Sequence, residues 1–218
     1  MYVVCVNLLD ILVNMNESRK KPRASYHHGD LERALVEAAV ELIRTEGVDA
    51  LTLRSVGAKV GVSRTALYRH FEDKAALLAR VAAEGFRRLF QTMAQVIANS
   101  SDERHDVLPV MGAAYVHFAL ANQSHYEAMF GGAVSDWSRY PDLMRDSGAA
   151  FEQLVEVVRS EQRRGRIGAG DPVDRAEIIW SLVHGISTLA AARHLTFTAT
   201  TVEELAVIGC SLLQRGMA

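Results

Sequence analysis

Residues 52–74 read TLRSVGAKVGVSRTALYRHFEDK, and the punctuation of this stretch decides the fold. Thr52 is a capping residue for a first helix predicted from Leu53 to about Val60. Gly61 supplies the left-handed position that ends it, and Ser63 caps a second helix predicted to run to Phe71. Two short helices around a tight, glycine-containing turn have the grammar of a helix-turn-helix. The second helix carries Arg64, Thr65, Tyr68 and Arg69 opposite the apolar positions Ala66, Leu67 and Phe71, so one face can pack while the other meets a partner. Arginine and threonine reach base edges; tyrosine and histidine donate to phosphate oxygens.

Working outward, charge is concentrated around this stretch. Between Leu51 and Lys74 five basic residues face two acidic ones, and Arg19, Lys20, Lys21 and Arg23 precede them. From Ala75 onward thirteen basic residues are outnumbered by sixteen acidic ones. The chain has 218 residues and a net charge of −2, so any nucleic-acid surface must be local. A hydrophobic content of 49% suits a globular chain with a sizeable core.

The opening MYVVCVNLLDILV is apolar, yet Asp10 interrupts it and it lacks a basic leader and a cleavage site. It is also too short to span a bilayer. Met15 followed by NESRKKPR reads as a natural start, so residues 1–14 are expected to be a dispensable extension. Residues 16–29 read as a flexible basic arm, either following a neighbouring groove or serving as a solvated tail. The two cysteines, Cys5 and Cys210, fit a reducing, cytoplasmic setting better than a disulfide scaffold.

The rest of the chain reads as helices. Asp30 is expected to cap one through Glu46, whose Leu35, Ala38, Ala39, Leu42 and Ile43 recur at helical spacing. Asp73 caps a long helix whose first turn presents Lys74, either as a phosphate contact or as an exposed charge beside Glu72 and Asp73. Helices follow over Val107 to Asn122, Ser124 to Phe130, Asp142 to Arg164, Pro172 to about Leu195, and from Thr201 to near Arg215. No strand alternation or repeat interrupts them. The expectation is an all-α chain of about nine helices: an extension and arm over 1–25, a helix-turn-helix DNA-binding domain over 26–75, and a helical ligand-binding and dimerisation domain over 76–218.

The segments YHHGDLERAL (26–35) and LTLRSVGAKVGVSRTALYRHFEDKAALL (51–78) resemble the TetR/AcrR family of one-component transcriptional repressors. Trp180 with His184 and Gly185, in IIWSLVHGIS (178–187), resembles the subgroup named for its Trp, His and Gly. The resemblance implies a homodimer formed by the last two helices of each subunit, a palindromic double-stranded operator, and release by a small apolar or amphipathic effector. By position it implies DNA contacts from Thr52, Arg54, Ser63, Arg64, Thr65, Tyr68, His70 and Lys74.

For the effector, the second half offers His117, Phe118, Tyr126, Phe130, Trp137, Phe151, Trp180 and His184. These residues could line an apolar cavity with a few polar groups, or could simply build the core. Gly185, Ser187, Ala190, Ala191 and Ala192, with Leu205, Ile208, Leu212 and Leu213, suggest a close-packed dimer face, burial in the monomer being the rival. The chain carries no zinc-ligand spacing, phosphate loop, nucleophile elbow or dinucleotide fingerprint. No enzyme activity, metal or cofactor is therefore expected. Two other readings stay open: a regulator without an effector, and a helical small-molecule-binding module whose helix-turn-helix is vestigial.

Overall fold

The computed structural model describes residues 28–100, 106–195 and 200–218. The extension, residues 16–27 of the basic arm and Cys5 lie outside the described residues, while His28 and Gly29, expected in the arm, open the first helix. Among those described there are nine α-helices and no strand: α1 (His28–Glu46), α2 (Leu53–Val60), α3 (Arg64–Tyr68), α4 (Lys74–Asn99), α5 (Val107–Ala121), α6 (Gln123–Phe130), α7 (Pro141–Arg163), α8 (Pro172–Ala191) and α9 (Val202–Gly216), with a 3-10 turn at Trp137–Arg139.

Two compact units share these helices. Of the described residues, one holds 28–90 and Ala121–Glu152; the other holds 91–100, 106–120, 153–195 and 200–218. Residues 121–152 thus pack in the unit that contains the helix-turn-helix.

In that unit, α1 lays Leu35, Val36, Ala39, Leu42 and Ile43 against α2, and Leu51, Val56, Leu67, Phe71, Leu77 and Val81 complete the core, all buried. Burying such side chains contributes about 1.5–3 kcal/mol each. The α2–α3 hairpin is fixed by its caps. Ser55 N donates to Thr52 Oγ1 at 3.0 Å while Thr52 N donates to Ser55 Oγ at 3.1 Å, a reciprocal capping box. At the other end Gly61 adopts φ 78°, and its N–H reaches back to the Gly57 carbonyl at 2.9 Å. Ser63 Oγ then accepts from Ala66 N at 3.2 Å and opens α3. Each such cap contributes about 1 kcal/mol.

Three helix limits differ from the sequence expectation. Helix α1 begins at His28, so Asp30 stands inside its first turn instead of before it. Helix α3 ends at Tyr68. There the chain must turn to bury Phe71, 4% exposed, and to place Asp73 Oδ1 where it accepts from Ala76 N at 2.7 Å. Helix α8 stops at Ala191, because Arg193 takes a positive φ of 57° that a continuing helix does not allow.

In the second unit α5 is the central helix, buried almost throughout from Val107 to Ala119. A side chain at Gly112 would meet Cys210 Sγ at 2.5 Å, so the glycine permits the close crossing of α5 and α9. Helices α8 and α9 pack along each other. Their connection to α7 is held by the buried Glu161, whose carboxylate accepts from the Arg166 guanidinium at 2.5 and 2.6 Å.

Candidate nucleic-acid interface

Of the sequence-expected contacts, Arg64, Thr65 and Tyr68 come together on the exposed side of the helix-turn-helix. Arg64, Thr65, Tyr68 and Arg69 line one shallow, open hollow on α3 and the turn after it. They share it because positions 64 and 68, or 65 and 69, lie one helical turn apart. Tyr68 is 47% exposed, unusual for a large ring, and Arg64 lies over it with the guanidinium carbon 5.3 Å from the ring centroid. Leu67, on the opposite side, is 2% exposed and anchors the helix.

The local acids do not cancel this basic face. Glu72 pairs with Arg139 at 3.8 Å, and Asp73 caps α4. Among the described residues neither Arg64 nor Arg69 has a carboxylate partner. Arg54 is exposed on α2, one residue into the helix.

Three of the four remaining expected contacts have duties within the protein. Thr52 and Ser63 are exposed, but their hydroxyls already accept capping hydrogen bonds. Lys74 Nζ donates to the Asp49 carbonyl at 3.1 Å, tying the start of α4 to the loop before α2. His70 is half-buried in the turn after α3. Arg69, absent from the family-derived set, is brought into the same hollow as Arg64; its spacing from Thr65 was the available signal.

The expected effector residues fall into two groups, one in each unit. In the helix-turn-helix unit, Phe86 of α4 stands edge-on to Phe130 at 5.5 Å and to Trp137 at 5.8 Å, and Tyr126 lies 4.9 Å from Phe130. Trp137 Nε1 donates to the Val134 carbonyl at 3.0 Å, and Phe151 is half-buried. In the other unit Trp180 Nε1 donates to Tyr115 Oη at 3.2 Å, and that hydroxyl lies 3.3 Å from His184 Nδ1. Burial lowers the His184 pKa, which favours a neutral ring able to accept there. His117 Nδ1 lies 3.4 Å from Glu203, and Phe118 is buried at 3% exposure. Phe86, the hub of the first group, was not among the expected effector contacts, whereas Tyr115, the hub of the second, belongs to the aromatic inventory visible in the sequence.

A capped pair of short helices, packed on a third and presenting an exposed, uncompensated arginine face, defines a helix-turn-helix DNA-binding protein. The comparisons agree. Residues 35–81 match the family described as "Bacterial regulatory proteins, tetR family", and residues 108–210 match "Tetracyclin repressor-like, C-terminal domain". The chain belongs to the tetR family of transcriptional regulators, which are DNA-binding and not enzymes.

Among similar proteins is the uncharacterized HTH-type transcriptional regulator YobS of Bacillus subtilis (strain 168), 31% identical over 46% of this chain. The chain spans about half of that relative, 51% of its length. The HTH-type nicotine-responsive transcriptional repressor HdnoR of Paenarthrobacter nicotinovorans is 26% identical over 69% of this chain and 79% of its own. A solved structure of a protein of unknown function from Rhodococcus sp. RHA1 superposes with a TM-score of 0.78 at 31% identity, covering 90% of this chain and all (100%) of that one. No helix among the described residues is long and apolar enough to cross a membrane.

Proposed function

We propose that the chain is a cytoplasmic, ligand-released repressor that binds a palindromic operator as a homodimer. The observation that carries the DNA part is the α3 surface, where Arg64, Thr65, Tyr68 and Arg69 stand exposed and, among the described residues, no acid pairs with either arginine. Arg54 is exposed on α2, and the exposed hydroxyls of Thr52 and Ser63, with His70 and Lys74, supply polar groups for the flanking phosphates.

Homodimerisation is supported by apolar side chains that α8 and α9 leave in water. Ile178 and Leu189 are 49% and 44% exposed, and Ile208 and Leu212 are 48% and 58% exposed. Ile178 and Leu189 lie close to three helical turns apart, and Ile208 and Leu212 about one turn apart, so each pair forms a stripe on its helix. Two copies of such a face bury each other under two-fold symmetry. A two-fold dimer matches a palindromic site.

Ligand release is supported by the relative whose name records nicotine responsiveness. Either group taken by itself, the rings around Phe86 in one unit or Tyr115, Trp180 and His184 in the other, offers the apolar walls and, in the second, the few polar atoms that a small amphipathic effector needs. Helix α4 is one continuous helix shared by the two units, and ligand occupancy acts on the reader through it. A ligand causes release only when it binds better to a dimer whose reading heads are wrongly spaced for successive major grooves.

The test is a thermal-shift screen of small amphipathic compounds, followed by operator titration at fixed salt with each hit at saturation. At least one stabilising compound is expected to weaken operator binding by tenfold or more, on the order of 1.4 kcal/mol of coupling. Unchanged operator affinity under every saturating hit removes the release mechanism and leaves the DNA-binding assignment standing.

A further inference from the structure

The α3 surface contains an arrangement that assigns different work to its exposed residues. Arg64 is the first residue of α3 and Tyr68 the last, four positions later, so their side chains lie on one side of the helix. The guanidinium rests over the tyrosine ring at 5.3 Å, both groups line the same open hollow, and among the described residues Arg64 has no ion-pair partner. Among the described residues the Arg64 guanidinium makes no hydrogen bond. Its five N–H donors lie in the plane and point outward from the edge. The contact with the ring therefore restrains the arginine while its hydrogen-bonding fork stays unspent.

We infer that Arg64 is the specificity-determining residue, reading a guanine in the major groove through its N7 and O6. Tyr68 is the positioning residue that holds the guanidinium edge toward the base. The inference rests on the DNA-binding reading of α3 and adds which base is read and how.

The choice of guanine follows from donor and acceptor patterns. Arginine donates and never accepts. Guanine presents two adjacent acceptors in the major groove. Adenine sets a donor beside its acceptor, thymine offers a single acceptor next to a methyl group, and cytosine offers a donor. Only guanine satisfies both prongs of the fork.

Position separates Arg64 from the other cations. N-terminal residues of the second helix reach base edges, whereas residues beyond its end meet the backbone. Arg64 is N-terminal on α3, Arg69 lies after its last residue, and Lys74 is tied to the Asp49 carbonyl. Arg69 and Lys74 are thereby left to phosphates.

The full-length protein and its Arg64→Ala, Arg64→Lys, Tyr68→Phe and Tyr68→Ala variants are each used to select from a pool of randomised duplexes. Bound and substituted sequences are then titrated by fluorescence anisotropy. The wild type is expected to select a guanine at one position of each half-site, and changing it to adenine weakens binding roughly ten- to hundred-fold. In Arg64→Ala that guanine drops out of the consensus, the other positions persist, and the same base change alters affinity less than about twofold. Arg64→Lys, which keeps the charge without the fork, loses most of the discrimination. Tyr68→Phe retains it because the ring remains, and Tyr68→Ala reduces it severalfold with melting temperature unchanged.

A guanine that persists in the Arg64→Ala consensus overturns the inference, as does an equal loss of affinity on every sequence, the behaviour of a phosphate contact. Equal discrimination in Tyr68→Ala overturns the positioning role. If the wild type selects no consensus at all, the DNA-binding reading fails with it, a result distinguishable from the others.

Discussion

The contact between Gly57 of α2 and Leu67 of α3 holds the two helices of the reader in register, and a double-mutant cycle measures it. A β-carbon placed on Gly57 meets Leu67 Cδ1 at 3.1 Å and the Val62 carbonyl at 3.8 Å. Carbon atoms prefer about 3.5–4.0 Å, so Gly57→Ala requires the leucine methyl to retreat in a core where Leu67 is only 2% exposed. That crowding costs about 1–3 kcal/mol, against roughly 0.8–1 kcal/mol gained from the better helix former. The single variant is expected to lie between neutrality and a loss of about 2 kcal/mol. Leu67→Ala opens a cavity and costs about 2–5 kcal/mol. In the double variant the obstructing methyl is gone and the new one fills part of the space. Urea unfolding should therefore show the pair less destabilising than the sum of the singles by about 1–3 kcal/mol. Additivity within about 0.5 kcal/mol would refute the reasoning, because residues that do not touch add.

Three other perturbations test separate parts of the account. His125 and Arg88 hold the Glu84 carboxyl down to about 2 against the opposing effect of burial, Arg88 Nε donating at 2.9 Å and His125 Nε2 standing at 3.7 Å. Stability from this group is fully present above the unfolded value of about 4.3 and is lost as pH falls toward 2. Glu84→Gln should therefore cost roughly 2–3 kcal/mol at pH 7, with the difference closing below about pH 4 in parallel melts; a pH-independent gap would reject that origin. Cys210 is 2% exposed and burial pushes its thiol up to about 12. In a Cys5→Ser background it should resist a thiol reagent at pH 8 in the native state and react promptly in denaturant; fast native labelling would contradict its burial. Leu212→Glu, with Ile208→Glu as a second variant, should sediment as a monomer with helix content intact and lose most operator affinity, whereas a retained dimer would place the interface elsewhere.

Much of the reader was legible because its signals are local. Thr52, Gly61, Ser63 and Asp73 act within three or four residues of themselves, and each stands in the structure where its chemistry put it. The shared face of Arg64, Thr65, Tyr68 and Arg69 follows from helical spacing alone. Helix ends were less legible where tertiary packing decides them. The burial of Phe71 shortens α3, and the positive φ of Arg193 stops α8 before Leu195.

Partners distant in sequence left no signal. Lys74 binds a carbonyl 25 residues away, and Trp180 meets Tyr115 65 residues away. Nothing in either local segment specifies those pairings. The aromatic inventory of the second half was visible as composition, whereas its division into a Phe86 group and a Tyr115 group depends on which helices share a unit.

The most direct test of the central claim is an anisotropy titration of the full-length protein against duplex DNA from upstream of its own coding region, with a scrambled duplex of equal length beside it, over a range of salt concentrations. The account predicts binding to the genuine sequence at least about a thousandfold tighter than to the scrambled one, with affinity falling steeply as salt rises. Equal, weak binding to both duplexes at every salt concentration would contradict it.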